Sequence, residues 1–333
     1  MSTSKIKQKA LELGYLACGV IPVNIFDEYL EELDRRVSLF PESEELYKPF
    51  YGFARQPENA KSVIVCTHRV NNYRIPDSLS RLIGKTYLFD PRISYSHESR
   101  LESEFETYIT TLGISVLKNA PVPARLAAAK AGLGKYGRNC FIYDQQHGSY
   151  VWIGTWVVDK VLEYDAIEED IGMSVCEDGC QKCIESCPTK ALSGSLTMDR
   201  GKCVTQLTTW AKDLPDEKTR TQLGQWLYGC DACQDACPAN KGKLNGSEEY
   251  PLLGVYEEYL KPERLFEMDA DTYVNIINPR FWYVGEDGLW LWRCNALRSM
   301  INSGDKKYHS LIKQACDHED ERVREIAQSA SLS

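Results

Sequence analysis

The sequence predicts a mixed chain of helices and strands, α/β or α+β with a sheet as its backbone, followed by a cysteine-rich segment and a helical tail. Three observations lead there. Helical and strand-like patterns alternate over residues 1–165. Eight of the thirteen cysteines fall between Cys176 and Cys237. The final stretch, "GLWLWRCNALRSMINSGDKKYHSLIKQACDHEDERVREIAQSAS", has helical spacing broken at "SGD" and "DHED". A chain of 333 residues is long enough for a sizeable core and more than one domain.

Taken in order, "STSKIKQKALELG" predicts a helix. Ser2 or Thr3 can cap it, Ile6, Ala10 and Leu13 share a face, and Gly14 stops it. "KSVIVCTH" is a short apolar run suited to a buried strand. "ESRLESEFETYITTLG" returns to helical spacing, and "ISVLKNA" predicts another strand. "VPARLAAAKAGLG" predicts a short alanine-rich helix closed by glycine. "NCFIYDQQHGSYVWIGTWVVD" predicts a β-hairpin turning near His147 and Gly148. Residues 163–185 are acidic and predict a solvated linker face. The cysteine-rich segment runs to about 240, and "NKGKLNGSEEYP" is a turn-rich exit.

The composition is 43% hydrophobic with a mean hydropathy of −0.40, as in a soluble globular protein. No run of ~18 apolar residues could span a membrane. The start reads as helix then strand, without a twin-arginine or export pattern, so the cytoplasm is the expected compartment. A net charge of −9 excludes a mainly electrostatic grip on nucleic acid while leaving room for a local basic face.

The cysteines carry the chemistry. Cys176, Cys180, Cys183 and Cys187 with Pro188 form C-x3-C-x2-C-x3-C-P. Cys230, Cys233 and Cys237 with Pro238 form C-x2-C-x3-C-P, and Cys203 stands between the runs. In two-cluster ferredoxins the last cysteine of such a run ligates the other cluster. That rule yields two sets of four: Cys176, Cys180, Cys183 and Cys237 for one [4Fe–4S] cluster, and Cys187, Cys203, Cys230 and Cys233 for the second. The count closes at eight. Zinc is the competing ligand, since C-x2-C pairs also hold structural zinc, but the twice-repeated C-P form favours clusters. The first gap, x3 in place of x2, makes Cys176 the departure from the usual spacing. Cys18, Cys66, Cys140, Cys294 and Cys316 are scattered and read as small apolar residues.

These motifs together resemble the epoxyqueuosine reductase family, cobalamin-dependent iron–sulfur enzymes related to reductive dehalogenases. "APVPARLAAAKAGLGKYGRN" is similar to that family's signature helix and glycine turn. "GSYVWIG...VVD" is similar to the hairpin that follows. "CQKCIESCPTKAL", "KCVTQLTTW" and "YGCDACQDACPAN" match its ferredoxin part in order and spacing. The resemblance implies an α+β fold with a cobalamin-binding reductase domain at 1–165, a bacterial-type double-cluster ferredoxin domain at 166–248, and HEAT-like helices at 249–333. It implies base-off cobalamin, reduced to a nucleophilic Co(I) state by the nearer cluster, and a cytoplasmic monomer fed by a donor such as a ferredoxin or flavodoxin. Carried over by motif, Gly148 and Asp159 fall on corrinoid-contacting positions, with Arg55, and with Tyr95 and His97 close to another; Thr205 should lie over the ring.

One departure matters. The family places an acidic proton donor before the basic residue of the signature helix, and here the pair is Ala124 and Arg125. Releasing water from a C–O bond needs a proton at the leaving oxygen. The remaining candidate donors are Tyr95, Lys135 and Tyr136. Three readings result: the tRNA enzyme with a proton from elsewhere, a corrinoid-dependent reductase of another substrate, and a non-catalytic electron-transfer or corrinoid-reducing protein. For the first, residues 68–100 interleave Arg69, Arg74, Arg81, Lys85, Arg92 and Arg100 with Tyr73, Tyr87 and Tyr95, a mixture that suits RNA, a corrin rim or a solvated face.

Overall fold

The computed structural model describes every residue except Met1, Asn71, Pro91, 94–96, Asn119, 173–174, Pro251 and 332–333, and the side chains of His97, Glu98 and Ser331. The chain runs α1 (Ser2–Glu12), β1 (Ala17–Pro22), α2 (Asp27–Leu39), α3 (Glu44–Tyr47), β2 (Ser62–Arg69), α4 (His97–Thr111), α5 (Ala124–Lys130), β3 (Lys135–Tyr136), β4 (Ile142–Tyr143) and β5 (Val151–Val158). Within the cysteine-rich region lie short helices α6 (Lys182–Glu185), α7 (Val204–Thr209), α8 (Glu217–Gln222) and α9 (Ala232–Asp235). The tail holds α10 (Leu253–Tyr259), α11 (Pro262–Glu267), α12 (Ala270–Thr272), α13 (Leu289–Ser303), α14 (His309–Ala315) and α15 (Glu321–Ser331).

The sheet is three-stranded and antiparallel, in the order β1-β2-β5, which makes the fold α+β. Its central strand β2 buries every residue from Ser62 to His68. Side chains alternate across a strand with period two. Ile64 and Cys66 therefore face Ile6 and Ala10 of α1 and Phe105 and Ile109 of α4. Val63 and Val65 face Leu126, Ala127 and Ala128 of α5 on the other side. Covered on both faces, the strand reads as a continuous apolar run.

Two expectations need correction. The segment 140–158 is not one hairpin: β4 pairs with β3, and β5 crosses to β2. Alternation marked β5 as a strand, but its partner was set by the apolar face of β2, distant in sequence. "ISVLKNA" supplies only a single bridge, Val116 to Val158, at the sheet edge. The tail helices form as expected, with breaks at Gly304 and near His318. Their core also takes in Tyr73, Leu79, Ile83, Leu88 and Phe89, so the segment after β2 packs with the tail and the cores do not follow the three sequence segments.

The acidic stretch is no free linker. Asp165 pairs with Lys7 and accepts the Val20 N–H at 2.8 Å. Glu168 pairs with Lys135 at 3.2 Å. These carboxylates fasten the chain to α1, β1 and β3 as it leaves the sheet.

His68 sits beside Tyr15 in an edge-to-face contact, with Nε2 buried and without a partner. Burial lowers its pKa to about 4. An unfolded histidine titrates near ~6.5, so between about pH 6.5 and 4 the unfolded chain binds the extra proton. Stability contributed by the neutral ring is present above that window and is lost as pH falls through it. The expected loss is ~3 kcal/mol by pH 4. His68→Phe should remove this component from the pH dependence of urea unfolding.

Candidate iron–sulfur and cofactor site

The cysteine-rich loops fold as two copies of one device. Cys183 lies in α6 and Cys233 in α9, and each short helix ends just before the cysteine that precedes proline. The two helices pack together, and Ser186 Oγ donates to Ala232 O at 3.1 Å. The prolines direct the chain away, so Cys187 and Cys237 each leave their own loop. Cys187 is packed in one buried group with Cys183, Cys203 and Cys233. Cys187, Cys203, Cys230 and Cys233 all line one cleft. On the other side, Cys176 and Cys237 both raise the Cys183 thiol, after burial, to about 11. Cys176 accepts the Arg138 N–H at 3.5 Å, and Cys180 lies on the adjoining turn from Glu177.

Burial comes first among the causes that push the Cys203, Cys230 and Cys233 thiols up, and their cysteine neighbours add to it. Alone, such thiols stay protonated at neutral pH. Iron binding supplies the positive charge that makes them thiolates and releases protons. Among the described residues no three His, Cys, Asp or Glu side chains converge on a point as ligands of one ion.

The glycine turn closes over these loops. A Cβ at Gly134 would lie 2.5 Å from Ile142 Cγ2, and one at Gly137 would lie 2.5 Å from the Tyr143 ring. Glycine at both places lets β3 and β4 come together above the clusters. Asn139 Nδ2 donates to Tyr143 Oη at 2.9 Å and to Cys233 O at 3.3 Å, joining turn to cluster loop.

The cleft itself has a volume of about 450 Å³, with about 1870 Å³ of free space once its open mouth is included. Cysteines form its floor, and the sheet end (Val151, Trp152, Ile153), α5 (Ala124, Arg125) and Arg200 form its walls. Two lining residues carry polar atoms buried without a partner, Trp152 Nε1 and Gln206 Oε1. A buried unpaired polar group costs roughly 1–3 kcal/mol, so each marks a place where a ligand group can pair. Cobalamin, a broad flat ring edged with amides, offers both an acceptor and a donor. The cleft residues fit it.

The predicted site residues distribute unevenly. Thr205 lines the cleft. Gly148 adopts φ +62°, and a Cβ there would lie 2.3 Å from Asn240 Oδ1; its neighbour Ser149 is on the cleft wall. Arg55 and Asp159 are exposed and are not among the lining residues. The Asp159 carboxylate accepts the Ser115 N–H at 2.9 Å, which holds the sheet edge, and hydrogen bonding from the Ser115 side chain, then from its N–H, lowers the Asp159 pKa. Lys135 is engaged with Glu168 and Asp170. Tyr136 is packed against the α5 core, and burial pushes its phenol up against the opposing pull of Arg125. His97 begins α4; its side chain and all of Tyr95 lie outside the described residues.

Sequence reasoning named Arg92 only as part of a basic stretch suited to RNA, a corrin rim or a solvated face, and missed most of the other walls. Arg92 stacks among Trp152, Trp282 and Tyr283 at 4.9–5.1 Å and pairs with Asp90 at 2.6 Å. Glu102 of α4 also lines the cleft. Arg200 lay in plain view in "DRGKC", three residues before a cluster cysteine. No pattern linked it to the signature helix.

Lys85, expected on a basic face, is only 8% exposed. Its Nζ is 2.6 Å from Asp235 and 3.4 Å from Asp231, and its N–H donates to Asp231 at 2.6 Å. Asp231 is 1% exposed, and burial raises its pKa while Lys85 opposes the rise. Lys85→Met should strand that carboxylate and cost about 3–5 kcal/mol in urea unfolding.

Cluster-binding loops beneath a large cleft define an iron–sulfur oxidoreductase. The family of 4Fe-4S double cluster binding domains matches residues 176–240, which include all eight clustered cysteines. The epoxyqueuosine reductase of Cellulophaga algicola is 29% identical over 266 residues, 77% of this chain and 84% of that protein. The Bacillus subtilis epoxyqueuosine reductase is 37% identical over 146 residues, 44% of this chain and 36% of that protein. The epoxyqueuosine reductase structure from Streptococcus thermophilus matches with a TM-score of 0.77 at 21% identity, covering 98% of this chain and 89% of that one. One solved with an epoxyqueuosine-modified tRNA-Tyr stem loop matches at 0.74 and 21%, covering 99% and 89%. The chain is similar in sequence to epoxyqueuosine reductases, and it shares their fold. The cofactors of that type are two [4Fe–4S] clusters and cobalamin.

Proposed function

We propose that the chain is a cobalamin-dependent iron–sulfur reductase whose substrate is no longer epoxyqueuosine in tRNA. In this reading Cys187, Cys203, Cys230 and Cys233 hold the cluster at the cleft floor. Cys176, Cys180, Cys183 and Cys237 hold the outer one, which takes electrons from a carrier such as a ferredoxin or flavodoxin. Bound cobalamin supplies a low-potential metal centre able to pass two electrons to a substrate. Thr205 and Gln206 would seat it from the floor, and Trp152 from the wall.

The observation that carries the changed substrate is Ala124, the first residue of α5, on the cleft wall. Reducing an epoxide to an alkene takes two electrons and two protons and releases water. A methyl group gives no proton. The other described carboxylates of the lining are Glu102 and Asp231, and Asp231 is buried against Lys85. One of the related structures is the Bacillus subtilis enzyme with its catalytic aspartate loop swung out of the active site. The expected RNA face is also weakened: Arg69, Arg74, Lys85 and Arg92 each pair with a carboxylate, and Tyr73 belongs to the core.

The test is conversion of epoxyqueuosine tRNA by the reconstituted holoenzyme, read by nucleoside mass spectrometry beside an authentic enzyme. General-acid help is worth ~10²–10⁴ in rate, so turnover should fall at least ~10²-fold short. Rates within about tenfold of the authentic enzyme would overturn the proposal.

A further inference from the structure

Three guanidinium groups line the cleft, and they are not equivalent. Arg92 is committed to Asp90, with both Nε and Nη2 on its carboxylate. Arg125 and Arg200 have no carboxylate within ion-pair distance among the described residues. Arg125 donates to the Cys140 carbonyl at 3.1 Å and lies 4.6 Å over the Phe141 ring. Arg200 is held between Phe50, at 4.5 Å, and Trp210, at 5.4 Å.

Each cation is held in place by its surroundings. Arg125 is the second residue of α5, directly after Ala124. Arg200 follows Asp199, whose carboxylate accepts the Gly201 N–H at 3.0 Å and the Ser43 hydroxyl at 2.7 Å. The Arg200 N–H donates to Tyr47 Oη at 3.1 Å. The backbone is therefore fixed where the side chain departs. Both guanidinium groups line the one cleft. Two like charges over aromatic, partly desolvated walls are unfavourable until an anion joins them, and such a pair raises local anion concentration. Planar guanidinium groups match carboxylate and phosphate oxygens with paired hydrogen bonds.

We infer that Arg125 and Arg200 form an oxyanion subsite beside Ala124, and that the substrate is a small organic acid held there by its carboxylate or phosphate. This rests on the reductase reading above and specifies its substrate class. Aromatic walls at Phe141 and Trp210 suit a planar body behind the acid group. The space that an acidic side chain would fill at position 124 is left to the substrate. An acidic residue there would also repel an anionic substrate, whereas the alanine at position 124 leaves the two cations unopposed.

The test uses the full chain with iron–sulfur clusters and cobalamin loaded. Benzoate, its neutral match benzamide, inorganic phosphate and an RNA stem loop are titrated in turn by calorimetry and tryptophan fluorescence. Benzoate or phosphate should bind, with affinity falling as salt rises, and benzamide should bind at least tenfold more weakly. Arg200→Gln and Arg125→Gln should each weaken the favoured anion about 10–100-fold, while Arg200→Lys keeps part of the binding. Iron content and cobalamin binding, measured on the same samples, separate the two ideas. If cobalamin fails to bind, the reductase reading falls. If it binds and benzoate and benzamide bind alike, or the glutamine variants leave anion affinity unchanged, the subsite is refuted. Binding of the RNA alone, lost in the same variants, refutes the small-acid assignment.

Discussion

Cys233→Ala protein, reconstituted anaerobically with iron and sulfide, should hold about four irons per chain where the parent holds about eight. Cys233 is packed with Cys187 and Cys203 and lines the cleft. In the proposed assignment its removal takes one ligand from the cluster at the cleft floor, while the outer group of Cys176, Cys180, Cys183 and Cys237 keeps its thiols. The functional loss should exceed the loss of iron. Reduction of cobalamin through the protein should slow to the rate without clusters, because the broken cluster is the one beneath the cleft. Iron analysis and anaerobic absorption spectra read both effects. Equal iron in the two proteins, or stoichiometric zinc with negligible iron in the parent, would contradict the assignment.

Ala124→Asp should raise conversion of epoxyqueuosine tRNA at least tenfold over the parent while leaving iron content and cobalamin reduction unchanged. The reasoning separates electrons from protons. Electrons enter through the cysteine loops at the floor, and Ala124 stands on the wall at the start of α5. A carboxyl group there restores a proton source of the kind worth ~10²–10⁴. The recovery stays partial because the paired cations of 69–92 leave a weakened RNA face. The same change should reduce benzoate affinity, since it places a negative charge beside Arg125. A variant with impaired cobalamin reduction would show instead that position 124 touches the electron path.

The legible part of the molecule was the part coded locally. Both cysteine runs lie in loops of a few residues, and the matched double-cluster domain spans all eight of these cysteines. The helices α1, α4, α5 and the last three of the tail, α13, α14 and α15, were visible in their periodicity and glycine stops. The cleft was not legible, because its walls come from α4, α5, β5, the loop before α7 and the tail, and no local pattern joins Glu102, Trp152, Arg200 and Tyr283. Asp159 and Lys135 mislead for a related reason. Both look chemically able in the sequence, yet one is spent on the Ser115 backbone and the other on Glu168 and Asp170. The acids near 165 likewise read as solvent-facing, until Lys7 and the Val20 N–H were seen to claim Asp165. Local charge and spacing say what a residue can do; the partners that use it up arrive only with the fold.

The most direct test of the account is an anaerobic titration of cobalamin into the cluster-loaded protein, followed by absorption. The account predicts saturable binding at about one equivalent, a shift to the base-off spectrum, and reduction to Co(I) by dithionite faster with the floor cluster intact than in Cys233→Ala. Spectra of protein and cofactor that simply add, with no shift at any ratio, would contradict it.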